Sequence, residues 1–97
     1  MEIRGSGRRD GQLYLNSEQD YRDQRCLTIA IPDELARRLE LLVGGDPAAK
    51  LKGKTIKVAG TAKRTTIWFI SNGIRTDQYY YQTQVRVAQG EQISILP

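Results

Sequence analysis

From Gly11 to Ile31 the chain alternates apolar and polar residues twice, on either side of a charged, aromatic turn. Leu13 and Leu15 share one side of the first run. Leu27, Ile29 and Ile31 share one side of the second, with Gln12, Tyr14, Thr28 and Ala30 opposite. Period-two alternation is what a strand with one buried face requires. Strands are therefore expected over 12–16 and 25–31, joined by the polar connection 17–24. Upstream, Gly5-Ser-Gly-Arg-Arg-Asp-Gly11 reads as a loop in which Asp10-Gly11 reverses the chain, leaving 1–4 as a shortened first strand.

The period changes at Pro32-Asp33-Glu34, a good helix opening: proline is tolerated in the first turn, and two carboxylates suit the positive end of the helix dipole. Leu35, Leu39 and Leu42, widened by Ala36 and Val43, form a stripe expected to face the core, and Gly44-Gly45 ends it. Alternation returns in Lys54–Thr61, with Ile56 and Val58 inward and Gly60 at a point where the sheet needs room. Thr65–Phe69 and Tyr79–Tyr81 are β-prone segments flanking the turn Ser71-Asn72-Gly73, so an extended hairpin arm is expected. Gln84–Val87 and Gln92–Leu96 supply the closing strand segments, with Val85 and Val87 inward.

Ninety-seven residues make one domain with a modest core. Fifteen Lys and Arg against eleven Asp and Glu give +4 and a pI near 9.5. That balance permits a polyanionic partner and is mild for a dedicated DNA binder. The absence of histidine removes the usual general base and the commonest zinc ligand, and Cys26 is the lone cysteine, read as a small strand residue. No metal, cofactor or catalytic set is expected. Gly53-Lys54-Thr55 lacks the earlier glycine and following helix of a phosphate-binding loop. Without an apolar membrane-spanning run or signal core, a cytoplasmic location is expected.

Strand, strand, strand, helix, strand, strand is the order of the five-stranded Greek-key barrel that binds oligonucleotides and oligosaccharides, the OB-fold. The stretch 11–31 resembles bacterial OB-fold modules carrying a leucine-asparagine turn, an aromatic-rich link and an apolar third strand. Leu51-Lys-Gly-Lys-Thr-Ile-Lys-Val-Ala-Gly-Thr61 resembles their fourth strand, and Gln84-Val-Arg-Val-Ala-Gln-Gly-Glu-Gln-Ile-Ser-Ile-Leu96 their closing one. The resemblance implies a mainly β, OB-like barrel over 1–97, with one helix between strands three and four. The shortened first strand implies an incomplete barrel with an unpaired edge, and the arm over 65–81 is longer than in close relatives.

OB-folds bind through strands two and three and the flanking loops. Carried onto this chain, that surface comprises Tyr14, Tyr21, Arg22, Arg25 and Thr28, with Arg8 and Arg9 before them, interrupted by Glu18, Asp20 and Asp23. The arm adds Lys63, Arg64, Trp68, Phe69, Arg75, Tyr79, Tyr80 and Tyr81. Rings stack on bases and cations neutralise phosphates, so the expected function is a noncatalytic module for single-stranded nucleic acid. The alternative is a protein-interaction or self-assembly module, a homodimer for instance, using the arm and the exposed strand edge.

Overall fold

A computed structural model describes residues 1–96. The protein is mainly β: β1 (Gly5–Arg9), β2 (Gln12–Asn16) and β3 (Leu27–Pro32) lead into helix α1 (Asp33–Val43) and the short helix α2 (Pro47–Lys50). Then come β4 (Ile56–Val58), β5 (Ala62–Ser71), β6 (Ile74–Arg86) and, after one 3-10 turn, β7 (Ile93–Ile95).

The main sheet has the order β1-β2-β3-β6-β5, with β3 and β6 parallel and every other pair antiparallel. Closing such a sheet into a barrel requires β5 to pair with β1. Among the described residues it does not, so the sheet stays open and curled with unpaired edges, as expected of an incomplete barrel, and no closed five-stranded barrel forms. The expected fourth strand also lies elsewhere: β4 is shorter than predicted and pairs with β7 in a separate two-stranded sheet.

The Gly5–Gly11 stretch, expected as a loop, is a strand plus a turn. Only Asp10 and Gly11 turn, with φ of 52° and 76°, the left-handed pair that two-residue hairpins demand. Two glycines hid the strand because they carry no pattern. Of residues 1–4, expected as the first strand, 1–3 instead bridge the approach to β4: the Ile3 N–H donates to the Lys54 carbonyl at 2.8 Å, and the Ile56 N–H to the Met1 carbonyl at 2.8 Å.

One hydrophobic core lies on one face of the main sheet. Leu13, Leu15, Ile29, Ile31 and Val85 supply the sheet side, while Leu35, Ala36 and Leu39 of α1 cover it, with Ile56 and Ile93 from the small sheet. Leu42 was expected in the helix stripe, but it is 74% exposed, because the packed face runs through Leu35, Ala36, Leu39 and Val43 and leaves Leu42 beside it. Gly44, at φ 77°, ends α1 as predicted and donates its N–H to the Glu40 carbonyl. The helix start is tied to the first hairpin, since the Asp33 N–H donates to the Gly11 carbonyl at 3.0 Å. Gly60 occupies a point of close approach, where a Cβ would sit 2.6 Å from the Val85 side chain.

The arm is formed as expected. β5 and β6 pair from Ala62↔Val85 out to Ser71↔Ile74, with a register shift between Trp68 and Ile70 and the turn at Asn72-Gly73. Pairing of β6 with β3 ends at Leu27↔Thr83, so beyond that point the arm is a two-stranded ribbon.

Candidate nucleic-acid interface

Register sorts the predicted residues by face. Tyr14 and Asn16 on β2, Thr28 and Ala30 on β3, and Gln84, Gln82 and Tyr80 on β6 alternate with the core residues and therefore share the opposite face. On the outer strands Arg9 of β1 and Lys63, Thr65 and Ile67 of β5 belong to the same face. Because the sheet curls, this face encloses a cleft of about 250 Å³ lined by residues of all five strands, with Ser6, Gly7, Arg8 and Arg9 of β1 on one wall and Ile67 of β5 among those opposite. Gly7 stands opposite Tyr14 in the β1–β2 register, and nothing lies within 4 Å of where its side chain would begin. The ring is thereby left open to the cleft.

The floor is polar and well packed. Asn16 is 7% exposed, Thr28 1%, and Gln82 and Gln84 8% each. The Thr28 hydroxyl donates to Asn16 Oδ1 at 2.7 Å, Gln84 Nε2 donates to Gln82 Oε1 at 2.7 Å, and Gln82 Nε2 donates to the Tyr21 carbonyl at 3.3 Å. Buried amides must be partnered or face a polar space, and here a chain of bonds holds the loop to the arm.

The walls are aromatic. Tyr80 lies between Tyr21, at 6.3 Å between ring centroids, and Phe69, at 5.4 Å. Burial, aided by Tyr21, raises the Tyr80 phenol above its ordinary pKa, against an opposing pull from Arg9 and Arg22. The ring is therefore neutral at physiological pH and usable as a stacking surface. Beside the cleft, and sharing Gln84 with it, a second depression of about 610 Å³ is lined by Lys63, Arg64 and Arg86 and, among the described residues, by no carboxylate. None of those three cations forms an ion pair among the described residues, where ion pairs involve only Arg4, Arg8, Arg9, Arg22 and Arg25.

Other predicted residues are placed differently. Arg8 lies near Asp33 and Asp46, at 3.6 Å from each. Arg22 and Arg25 are drawn back onto Asp20 and Asp23, whose carboxylates accept from the backbone N–H and the guanidinium two residues on. The side-chain hydrogen bond from Arg25, with its backbone N–H, lowers the Asp23 pKa to about 2. Asp20 is likewise lowered, first by the Arg22 backbone N–H. Glu18, Asp20 and Asp23, whose charge interrupts the predicted surface, line a different depression with Glu2, Arg4 and Lys52.

Trp68, Tyr79, Arg64 and Arg75 group on the reverse face of the arm. Trp68 and Tyr79 are 5.1 Å apart, the Arg75 guanidinium stands 4.2 Å over Trp68, and that of Arg64 4.7 Å over Tyr81. Adjacent residues of a strand point oppositely, and that rule, with Trp68↔Tyr79 in register, separates this cluster from the cleft. Asn16, Gln82, Gln84 and Arg86 are the residues that the sequence reading left out. The outward phase of Gln84 and Arg86 between inward Val85 and Val87 was their available signal.

No protein family, curated protein or solved structure matches the chain.

Proposed function

We propose that the concave face of the main sheet binds single-stranded nucleic acid without catalysis. One base would stack in the cleft against Tyr14 and Tyr80, while phosphates run toward Arg9, Lys63 and Arg86. The observation that carries this reading is the juxtaposition of an aromatic-walled cleft with a depression lined by three cations that form no ion pair among the described residues. Stacking supplies sequence-tolerant affinity and cations neutralise the backbone, the two ingredients of single-strand binding. At about 250 Å³ the cleft is smaller than the roughly 300–1,000 Å³ of a typical ligand pocket, which suits one ring of an otherwise external chain.

The test is fluorescence anisotropy of a labelled mixed-sequence single strand at low salt. Tyr80→Ala is expected to weaken binding about 5- to 150-fold, the equivalent of the roughly 1–3 kcal/mol of one base stack. Trp68→Ala, on the reverse face, leaves affinity unchanged. Equal losses from both variants, or no binding by the native protein, would overturn the proposal.

A second reading, assembly with another copy, draws on a different observation. β5 ends the main sheet, and its segment Thr65–Ser71 contains no charge, proline or glycine. Long uncharged edges pair readily with other chains.

A further inference from the structure

We infer that the cleft distinguishes bases, and that Asn16 and Gln84 read the edge of the one it holds. The inference rests on the strand-binding reading above and adds selectivity to it. Asn16, Thr28 and Gln84 stand in one row across β2, β3 and β6, because Asn16 and Gln84 are each in register with Thr28. Both amide side chains are more than nine-tenths buried, and both line the cleft. Each uses only one of its two polar atoms within the protein: Asn16 Oδ1 accepts from Thr28, and Gln84 Nε2 donates to Gln82.

The two remaining atoms, Asn16 Nδ2 and Gln84 Oε1, have no hydrogen-bond partner among the described residues. Yet no fully buried side-chain polar atom of the described residues is left unpartnered. Both therefore retain access to solvent: Asn16 lines the cleft, and Gln84 lines the cleft and the depression beside it. One is a donor and the other an acceptor, each oriented by a bond on its own amide. A surface that only stacked would gain nothing from them. Desolvating them under a ring that lacks the matching groups would cost affinity, so they favour a base presenting an acceptor to Asn16 and an N–H to Gln84. Tyr14 and Tyr80 supply contact with any ring, and the amide pair supplies the difference between rings.

The experiment measures the native protein's affinity for four homopolymeric DNA strands of equal length, then for the tightest of them with its bases replaced by abasic sites. The expected spread between best and worst homopolymer is about 5- to 150-fold, the range of one well-made two-point base contact. Abasic replacement is expected to bring affinity down to that of the weakest strand or below it. Asn16→Asp keeps the acceptor for Thr28 but turns the free donor into an acceptor, so it is expected to change the order of the four strands and not merely weaken them all. Equal affinity for all four strands overturns the inference and leaves strand binding standing. An unchanged order in Asn16→Asp overturns the role of Asn16. If that variant fails to fold, the homopolymer and abasic comparisons on the native protein still decide whether bases are read. Absence of binding to any strand overturns the proposed function itself.

Discussion

Between β2 and β3 the sequence Asp20-Tyr-Arg22-Asp23-Gln-Arg25 uses the same local device twice, a carboxylate capturing the N–H and guanidinium two residues later. Short polar side chains that bond to their own backbone are turn formers, so these acids shape the loop. The arginines they hold, which charge counting makes the obvious candidates for phosphate, are each already paired with a carboxylate. The pairing has a titration signature. With Asp23 lowered to about 2 from an ordinary 3.8, the carboxylate resists protonation, and the stability it contributes is complete above the unfolded value and fades as pH falls through the folded one. Carboxyl-carbon NMR is expected to show Asp23 still mostly ionised at pH 3. In Arg25→Ala its midpoint rises toward 3.8 but stays below it, because the backbone N–H of residue 25 is retained. A midpoint unmoved by Arg25→Ala would show that the guanidinium does not hold the carboxylate.

At the scale of elements, the parts of the fold with a clean period were legible: β2, β3, α1 with its Gly44 stop, and the hairpin at Asn72-Gly73. What was not legible depended on partners distant in sequence. Gly5–Arg9 has no alternation, since its strand character is imposed by pairing with β2, and Lys54–Thr61 gave no sign that it would leave the main sheet for β7. The candidate site was half legible for the same reason. Residue types were visible, but their division between two faces of the arm needed the β5–β6 register and its shift at Trp68. That arm also carries an exposed problem, for two-stranded ribbons are marginal in water and its tip exposes Ile70 at 69% and Ile74 at 71%. If β5 pairs with a second copy, antiparallel pairing centred near Trp68 would keep the Lys63-Arg64 ends of the two chains apart, whereas parallel pairing would bring those like charges together. Ile70→Lys places a charge on that edge. In sedimentation it is expected to convert a concentration-dependent dimer into a monomer with unchanged circular dichroism; a native protein that is monomeric throughout would rule out this use of the edge.

For the whole molecule, a net charge of +4 says less than its distribution. Arg4, Arg8, Arg22 and Arg25 are matched to carboxylates, and the three acids of the 17–26 loop line a depression separate from the cleft. The cations left beside the cleft are Arg9, whose contact with Asp10 is long at 3.7 Å and largely exposed, and Lys63, Arg64 and Arg86, which have none among the described residues. Arg64 is held over the Tyr81 ring on the reverse face, leaving three that can meet phosphate together. Neutralising a phosphate on a single strand releases about 0.7 of a counterion, so three contacts predict a slope of about −2 in log affinity against log salt, or roughly a 20-fold loss between 50 and 200 mM. Arg86→Ala removes one contact and is expected to lower the slope by about 0.7 for every sequence tested, without altering which base is preferred. Arg25→Ala, which removes a cation of the same charge already committed to Asp23, leaves the slope where it was. A slope that falls equally in both variants would mean that the strand responds to net charge alone and not to the arrangement of cations around the cleft.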